Sequence, residues 1–274
     1  MGASAVQHSS KNSNASVAAR KPNGVAVKKA ATRIDWEIPR KALHSSIGIV
    51  TLYLYTHHIP PRPVIIALST FLAIAVPVDF LRLRSPAFER IFERYVGLFM
   101  RDSEKKSTNG VIWYLLGVIF VLSVYPVDVA VVSILILAFA DTAASTIGRL
   151  WGSLTPPLPR NIPILGLPLA PRKSLAGFMA ATVVGAMVVA GFWGWTVALG
   201  VAEPVWTWSD GLVEAKTGLL SGWVGLCVLS VVSGLVSGVA EALDLGSLDD
   251  NLTLPIISGG CILGFVKLMV YFSS

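Results

Sequence analysis

The sequence predicts an all-α, polytopic integral membrane bundle of about seven transmembrane helices plus one interfacial amphipathic helix. Three observations predict it. The 274 residues are 54% hydrophobic and only 14% charged, with a mean hydropathy of +0.68, too apolar for an ordinary soluble domain. The stretches 174–202 and 217–240 contain no charged residue at all. About 20 apolar residues suffice to cross a bilayer as a helix, and a helix satisfies its own backbone there. Finally, 19 of the 22 Lys and Arg residues fall in three segments: 1–41, 82–109 and 141–174.

In chain order, residues 1–34 come first. The opening 33 residues are basic and rich in Ser, Ala and Asn, with no acid and no aromatic residue. Such a segment cannot bury enough apolar surface to fold, so a disordered, basic, cytoplasmic tail is expected over 1–34. Residues 35–274 form the expected membrane-embedded domain. Its candidate spans are about 44–59, 63–81, 110–125, 126–140, 175–200, 217–240 and 253–272. The first and second turn at His57 to Pro61, and the third and fourth at Tyr125 and Pro126, because proline breaks a helix. The third and fourth are alternatively one broken or re-entrant element. Seven spans place all three basic segments on one side, which the positive-inside rule makes cytoplasmic.

Between the second and third spans runs "PAFERIFERYVGLFMRD". Phe88, Ile91, Phe92, Tyr95, Val96 and Phe99 recur at helical spacing, with Glu89, Arg90, Glu93 and Arg94 opposite. This pattern predicts the interfacial helix, which covers the bundle or guides a lipid. Small residues four apart (Gly218/Gly222, Gly234/Gly238, Gly260/Gly264) allow close helix approach, within one bundle or across a homodimer face. Cys227 and Cys261 lie in apolar spans and read as small hydrophobes.

Four polar clusters interrupt this apolar chain. In "EIPRKALHSS", Arg40 and His44 share a helix face and Lys41 adjoins them. Inside-positive anchoring explains the two cations but leaves His44 unexplained. In "ADTAASTIGR", Asp141 sits at the end of an apolar span, where a carboxylate is costly unless it is paired or used. Thr142, Ser145 and Thr146 add hydroxyls, Gly148 permits close approach, and Arg149 follows. The plain alternative is that Asp141 caps a short helix. In "PRKSLAG", Arg172, Lys173 and Ser174 open the fifth span, where helix N–H groups beside two cations make an anion site. In "EALDLGSLDDNLTLP", Glu241, Asp244, Asp249 and Asp250 offer hard oxygen ligands for Mg2+ or Ca2+, or are simply solvated loop acids. Phosphoryl transfer needs cations on phosphate, a bridging metal and an oriented nucleophile. Neither a GxxxxGK[ST] loop nor a GxGxxG loop is present to supply a soluble nucleotide-binding fold.

The stretches "EIPRKALHSSIGIVTLYLY", "VDFLRL", "NGVIWYLLG", "ADTAASTIGR", "RKSLAG" and "LDDNLTLPIISG", spread over residues 35–272, resemble the fungal CTP-dependent diacylglycerol kinases. That family is grouped with dolichol and phytol kinases and, more distantly, CDP-diacylglycerol synthases. The resemblance implies transfer of the γ-phosphate of CTP to the hydroxyl of diacylglycerol, giving phosphatidate and CDP. It implies Mg2+ or Ca2+, diacylglycerol and membrane lipids as partners, and an endoplasmic reticulum or nuclear envelope location. It carries no nucleic-acid partner. By motif, Arg40, Lys41, Asp141, Gly148, Lys173, Ser174, Asp249 and Asp250 match family positions. Arg40, Lys41, Gly148, Lys173 and Ser174, with the adjoining Arg149 and Arg172, are expected to bind the nucleotide, and Asp141, Asp249 and Asp250 the metal. Asp141 is the first candidate to take the proton from the lipid hydroxyl and His44 the second. The Pro-rich stretch before "RKS", residues 153–171, is longer than the family pattern leads one to expect. A polyprenol acceptor, cytidylyl transfer to phosphatidate, and a non-catalytic membrane transporter or scaffold remain the alternatives at this point.

Overall fold

A computed structural model describes residues 37–273, apart from 101, 163–165, 200–202, 216, 217 and 247. The expected tail lies outside the described residues. The rest is helical: α1 (Ile38–Thr56), α2 (Pro61–Arg84), α3 (Pro86–Val96), α4 (Gly110–Val124), α5 (Val127–Leu135), α6 (Asp141–Trp151), α7 (Leu175–Gly194), α8 (Gly222–Ala242) and α9 (Asp250–Ser273), with a two-stranded hairpin, β1 (Trp206–Thr207) and β2 (Gly211–Leu212). This is a multi-pass helical membrane protein. Five described helical segments are long and apolar enough to cross a bilayer: Pro61–Arg84, Val127–Leu154, Leu175–Gly194, Gly222–Ala242 and Asp250–Ser273. α4 is apolar but has only 15 residues, and α1 carries Arg40, Lys41 and His44 in its first two turns.

The central pillar departs from the sequence expectation. The span expected to stop at residue 140 continues through a π-helical turn, Ile136–Ala140, straight into α6. Val127–Leu154 is one helical segment of 28 residues, on the order of 40 Å long at 1.5 Å per residue, well beyond the ~30 Å of a hydrocarbon core. Asp141 therefore neither ends a span nor caps a helix. Its neighbour Ala140 has ordinary helical dihedrals and makes no side-chain cap. The backbone runs on because other helices surround it: Val129, Ala130, Val132, Ile136, Leu137 and Ala140 are fully buried. A helix apolar on every face belongs in the middle of a bundle.

α1 also begins earlier than expected, at Ile38, so the basic pair lies within it. Its buried residues Arg40, Lys41, His44, Gly48 and Tyr55 form one inward stripe. A Cβ on Gly48 would lie within 2.9 Å of Ala138 and of the Phe139 ring, so glycine lets α1 rest against the π turn. α2 is the opposite case. Its residues are mostly exposed, as a lipid-facing helix requires, and only Asp79 and Arg82 are buried. Arg82 donates to Asp79 (2.8 Å) and to the carbonyls of Lys105 (2.9 Å) and Ser107 (2.6 Å), pinning the loop before α4. α3 is the expected amphipathic helix, capped by Ser85 and with no buried residue.

Gly234 and Gly238 do serve close packing, against Thr182, Ala186 and Phe178 of α7. Gly218 and Gly222 do not. Both have positive φ (67° and 59°) and shape the turn before α8, because glycine adopts that conformation without a Cβ clash.

Candidate active site

One face of α6, the end of α8 and the starts of α7 and α9 line a cavity of about 590 Å³, with Glu37 at its rim. Asp141, Gly148, Arg149, Arg172, Lys173, Ser174 and Asp250, all expected from the sequence, line it. Arg40, Lys41, His44 and Asp249 are not in its wall.

Lys173 is the hub. Its ammonium contacts Glu241 Oε1 (3.1 Å) and Asp250 Oδ2 (3.0 Å) and donates to the Glu241 carbonyl. Burial pushes this ammonium down, but Glu241 and Asp250 outweigh that, and the group is held above its ordinary value. It stays charged throughout the physiological range. Arg172 lies 3.6 Å from Asp250 and is largely exposed. At the other rim Glu37 joins two cations: it accepts from Arg40 Nε (3.1 Å) and from Arg149. Lys41 donates to Thr146 on α6 (3.2 Å). Thr142, Ser145 and Thr146 all donate back to carbonyls of their own helix, and of the three Ser145 lines the cavity.

The start of α7 differs from the expected anion site. Leu175 N donates to Pro156 O (3.2 Å), Ala176 N to Thr155 Oγ1 (3.2 Å), and Gly177 N to Ser174 Oγ (3.3 Å). The chain's own acceptors fill the first turn, and Ser174 is a helix cap. Two of those acceptors, Thr155 and Pro156, come from the Pro-rich stretch. It folds back along the cavity and hydrogen-bonds to the end of α8 through Ala170 N to Ala242 O (2.9 Å) and Asp244 N to Pro168 O (3.0 Å). The first turn of α7 therefore offers an anion no open N–H group, and Arg172 and Lys173 are the cations beside it. Gly148 faces Gly177. A Cβ on Gly148 would lie 3.5 Å from Ser174 Oγ and 3.6 Å from Gly177 Cα, both ordinary contacts.

The acidic residues separate as well. Asp249 accepts from Asn251 N (2.9 Å) and starts α9 as a cap. Asp141 is 7% exposed, and no described residue donates a hydrogen bond to its carboxylate. Glu241 is buried, and its Oε2 has no partner among the described residues. No three His, Cys, Asp or Glu side chains among the described residues are grouped as a ready metal cage. The wall holds three cations, Arg149, Arg172 and Lys173, against four carboxylates, Glu37, Asp141, Glu241 and Asp250.

No family model and no solved structure matches the chain. Curated proteins do. The CTP-dependent diacylglycerol kinase 1 of Schizosaccharomyces pombe is 37% identical over 240 residues, covering 85% of this chain and 98% of that protein. This chain belongs to the CTP-dependent diacylglycerol kinase family. The protein of the same name from Saccharomyces cerevisiae is 39% identical over 222 residues, 81% of this chain and 71% of that protein. The one from Eremothecium gossypii is 40% identical over 222 residues. That match takes in 81% of this chain but 65% of the longer Eremothecium protein.

Two residues of this family member's site were not among those expected to bind the nucleotide or the metal or to take the proton. Glu37 is one; only its pairing with Arg149, 112 positions away, reveals it. Glu241 is the other. Its signal was available, since it is the first charge after the uncharged stretch 217–240. A carboxylate at that point of a span is costly without a partner.

Proposed function

We propose that this chain transfers the γ-phosphate of CTP to the free hydroxyl of diacylglycerol, giving phosphatidate and CDP. The observation that carries the reading is one cavity that sets Arg149, Arg172 and Lys173 against Asp141, Glu241 and Asp250, in a chain at least 37% identical to proteins named for that activity. In the reaction the lipid oxygen bonds to the γ-phosphorus and the bond to the β–γ bridging oxygen breaks. CDP leaves, and the hydroxyl proton passes to a base. Asp141 fits that role best: it is poorly exposed, lines the cavity and has no fixed donor. Lys173 and Arg172 bind phosphate oxygens, with Arg149 on the opposite rim. Residues 35–274 form the catalytic unit, and 1–34 a cytoplasmic tail.

A triphosphate adds several negative charges to a wall that already has one more carboxylate than cation. Electrostatics therefore favour its arrival with a divalent cation, Mg2+ or Ca2+. Asp141 and Asp250, both in the cavity wall, would hold it. In the usual magnesium mode one or two carboxylates share the ion with substrate phosphates, which two wall carboxylates can supply. Bound there, the cation neutralises charge on the phosphate oxygens. The concentration of basic residues at the cavity end supports a site that faces the cytoplasm. An endoplasmic reticulum or nuclear envelope membrane is what the resemblance to the fungal kinases implies.

Purified protein given diacylglycerol and CTP labelled at either the γ or the α phosphate tests the reaction. Lipid label from γ alone is expected. Label from α, with phosphatidate as acceptor, would make the chain a cytidylyltransferase instead.

A further inference from the structure

Tyr114 is buried, and the kinase reading above gives it no task. It shares a face of α4 with Gly110 and Gly117, at i, i+4 and i+7. A Cβ on Gly117 would lie 2.8 Å from Asn251 O, and one on Gly110 would lie 3.1 Å from Asn251 Nδ2. This face therefore rests on the first turn of α9, next to Asp250. The Tyr114 ring also meets His44 of α1 edge-on, with centroids 5.0 Å apart. Asp141 is within electrostatic reach of both Tyr114 and Lys41. The ring is 6% exposed, and its hydroxyl has no hydrogen-bond partner among the described residues.

A buried hydroxyl without a partner costs about 1–3 kcal/mol. Phenylalanine would fill the same space without that cost, so packing alone does not account for tyrosine here. The position suggests what completes it. Neither Tyr114 nor His44 lines the nucleotide cavity. Tyr114 sits one helical turn below the start of α4, roughly 6 Å deeper in the bundle. CTP must approach from water, and a lipid acceptor from the bilayer. Asp141 lines the cavity and is near enough to Tyr114 to act on it electrostatically.

We propose that the Tyr114 hydroxyl, braced against the His44 ring, binds the glycerol end of the lipid acceptor and presents its free hydroxyl to Asp141. The identity of the acceptor rests on the kinase reading; the existence of a lipid site does not. Tyr114→Phe removes one oxygen atom and nothing else. The test measures kinetics in mixed micelles, labelling by a photoactivatable diacylglycerol, and Tm, for wild type and variant in parallel. At saturating CTP, kcat/KM for diacylglycerol should fall at least about 10-fold, while KM for CTP stays within about twofold. Photolabelling should fall in parallel. Tm should hold or rise, because the lost hydroxyl had no protein partner. Unchanged diacylglycerol kinetics with unchanged labelling would overturn the proposal. So would equal losses for both substrates with a lower Tm, the pattern of a purely structural residue, and so would a wild type that takes no photolabel. If the wild type transfers no γ-phosphate but its labelling depends on the Tyr114 hydroxyl, the kinase reading falls and the lipid site stands.

Discussion

One helical segment, Val127–Leu154, carries two buried carboxylates with opposite surroundings. Asp128, near its start, is fully buried and accepts three hydrogen bonds: from Val129 N (2.9 Å), Trp193 Nε1 (3.1 Å) and Val205 N (2.8 Å). It ties the end of α7 and the approach to β1 onto the bundle. Asp141, just past the π turn, has no such donor and opens onto the cavity. Both are acids where an acid is costly. Fixed donors make the first a structural clamp. Their lack leaves the second to a ligand, a metal or a proton.

Perturbing each end should produce different failures. The largest combined effect is expected from Lys173→Ala. It removes the proposed phosphate contact and also strands the buried Glu241 side chain. Breaking a buried pair costs about 3–5 kcal/mol, so both Tm and CTP affinity should drop. Weaker CTP binding with an unchanged Tm would show that Glu241 does not depend on Lys173. Asp128→Ala should come next. It leaves three donors unsatisfied, at about 1–3 kcal/mol each for those that water cannot reach. Thermal unfolding should shift strongly downward, while turnover per folded molecule survives. A stable but inactive Asp128→Ala protein would dissolve the contrast.

A smaller, sharper comparison lies in the acidic pair. Asp250→Asn removes a charge that faces Lys173 and Arg172, and about 10- to 100-fold of the activity should go with it, judged as the loss of a charge-assisted contact. Asp249→Asn should cost no more than a few-fold, since asparagine caps a helix as well as aspartate does. Equal losses would return Asp249 to the metal site. Smallest of all should be the effect of deleting residues 1–30, which carry no motif. Activity within a few-fold of the full chain is the expected result, and complete loss in folded protein would contradict it.

The sequence revealed the two ends unequally. Proline at Tyr125-Pro126 marked the turn between α4 and α5, the 3.6-residue pattern marked α3, and "RKS" marked the start of α7. Local chemistry sets these, so local reading finds them. The passage through Asp141 was not legible. A polar residue after an apolar run looks like a helix end, but in a bundle interior the neighbouring helices decide where the backbone stops. The filled start of α7 was not legible for a related reason: Thr155 and Pro156 take its N–H groups, brought back by a loop whose path hydropathy does not encode. Glu37 could be placed only by folding, because its partner Arg149 is remote in sequence.

The central claim is that Asp141 is held ready for chemistry rather than for the fold. Asp141→Asn keeps the size and shape of the side chain and removes its charge and basicity. The decisive measurement is the rate of γ-phosphate transfer from CTP to diacylglycerol by this variant, set beside its Tm and membrane insertion. Transfer should fall by at least about three orders of magnitude, on the scale of a lost base or metal ligand, with Tm within a few degrees of wild type. An Asp141→Asn protein that transfers phosphate at a near-normal rate would contradict the account, whatever its relatives are called.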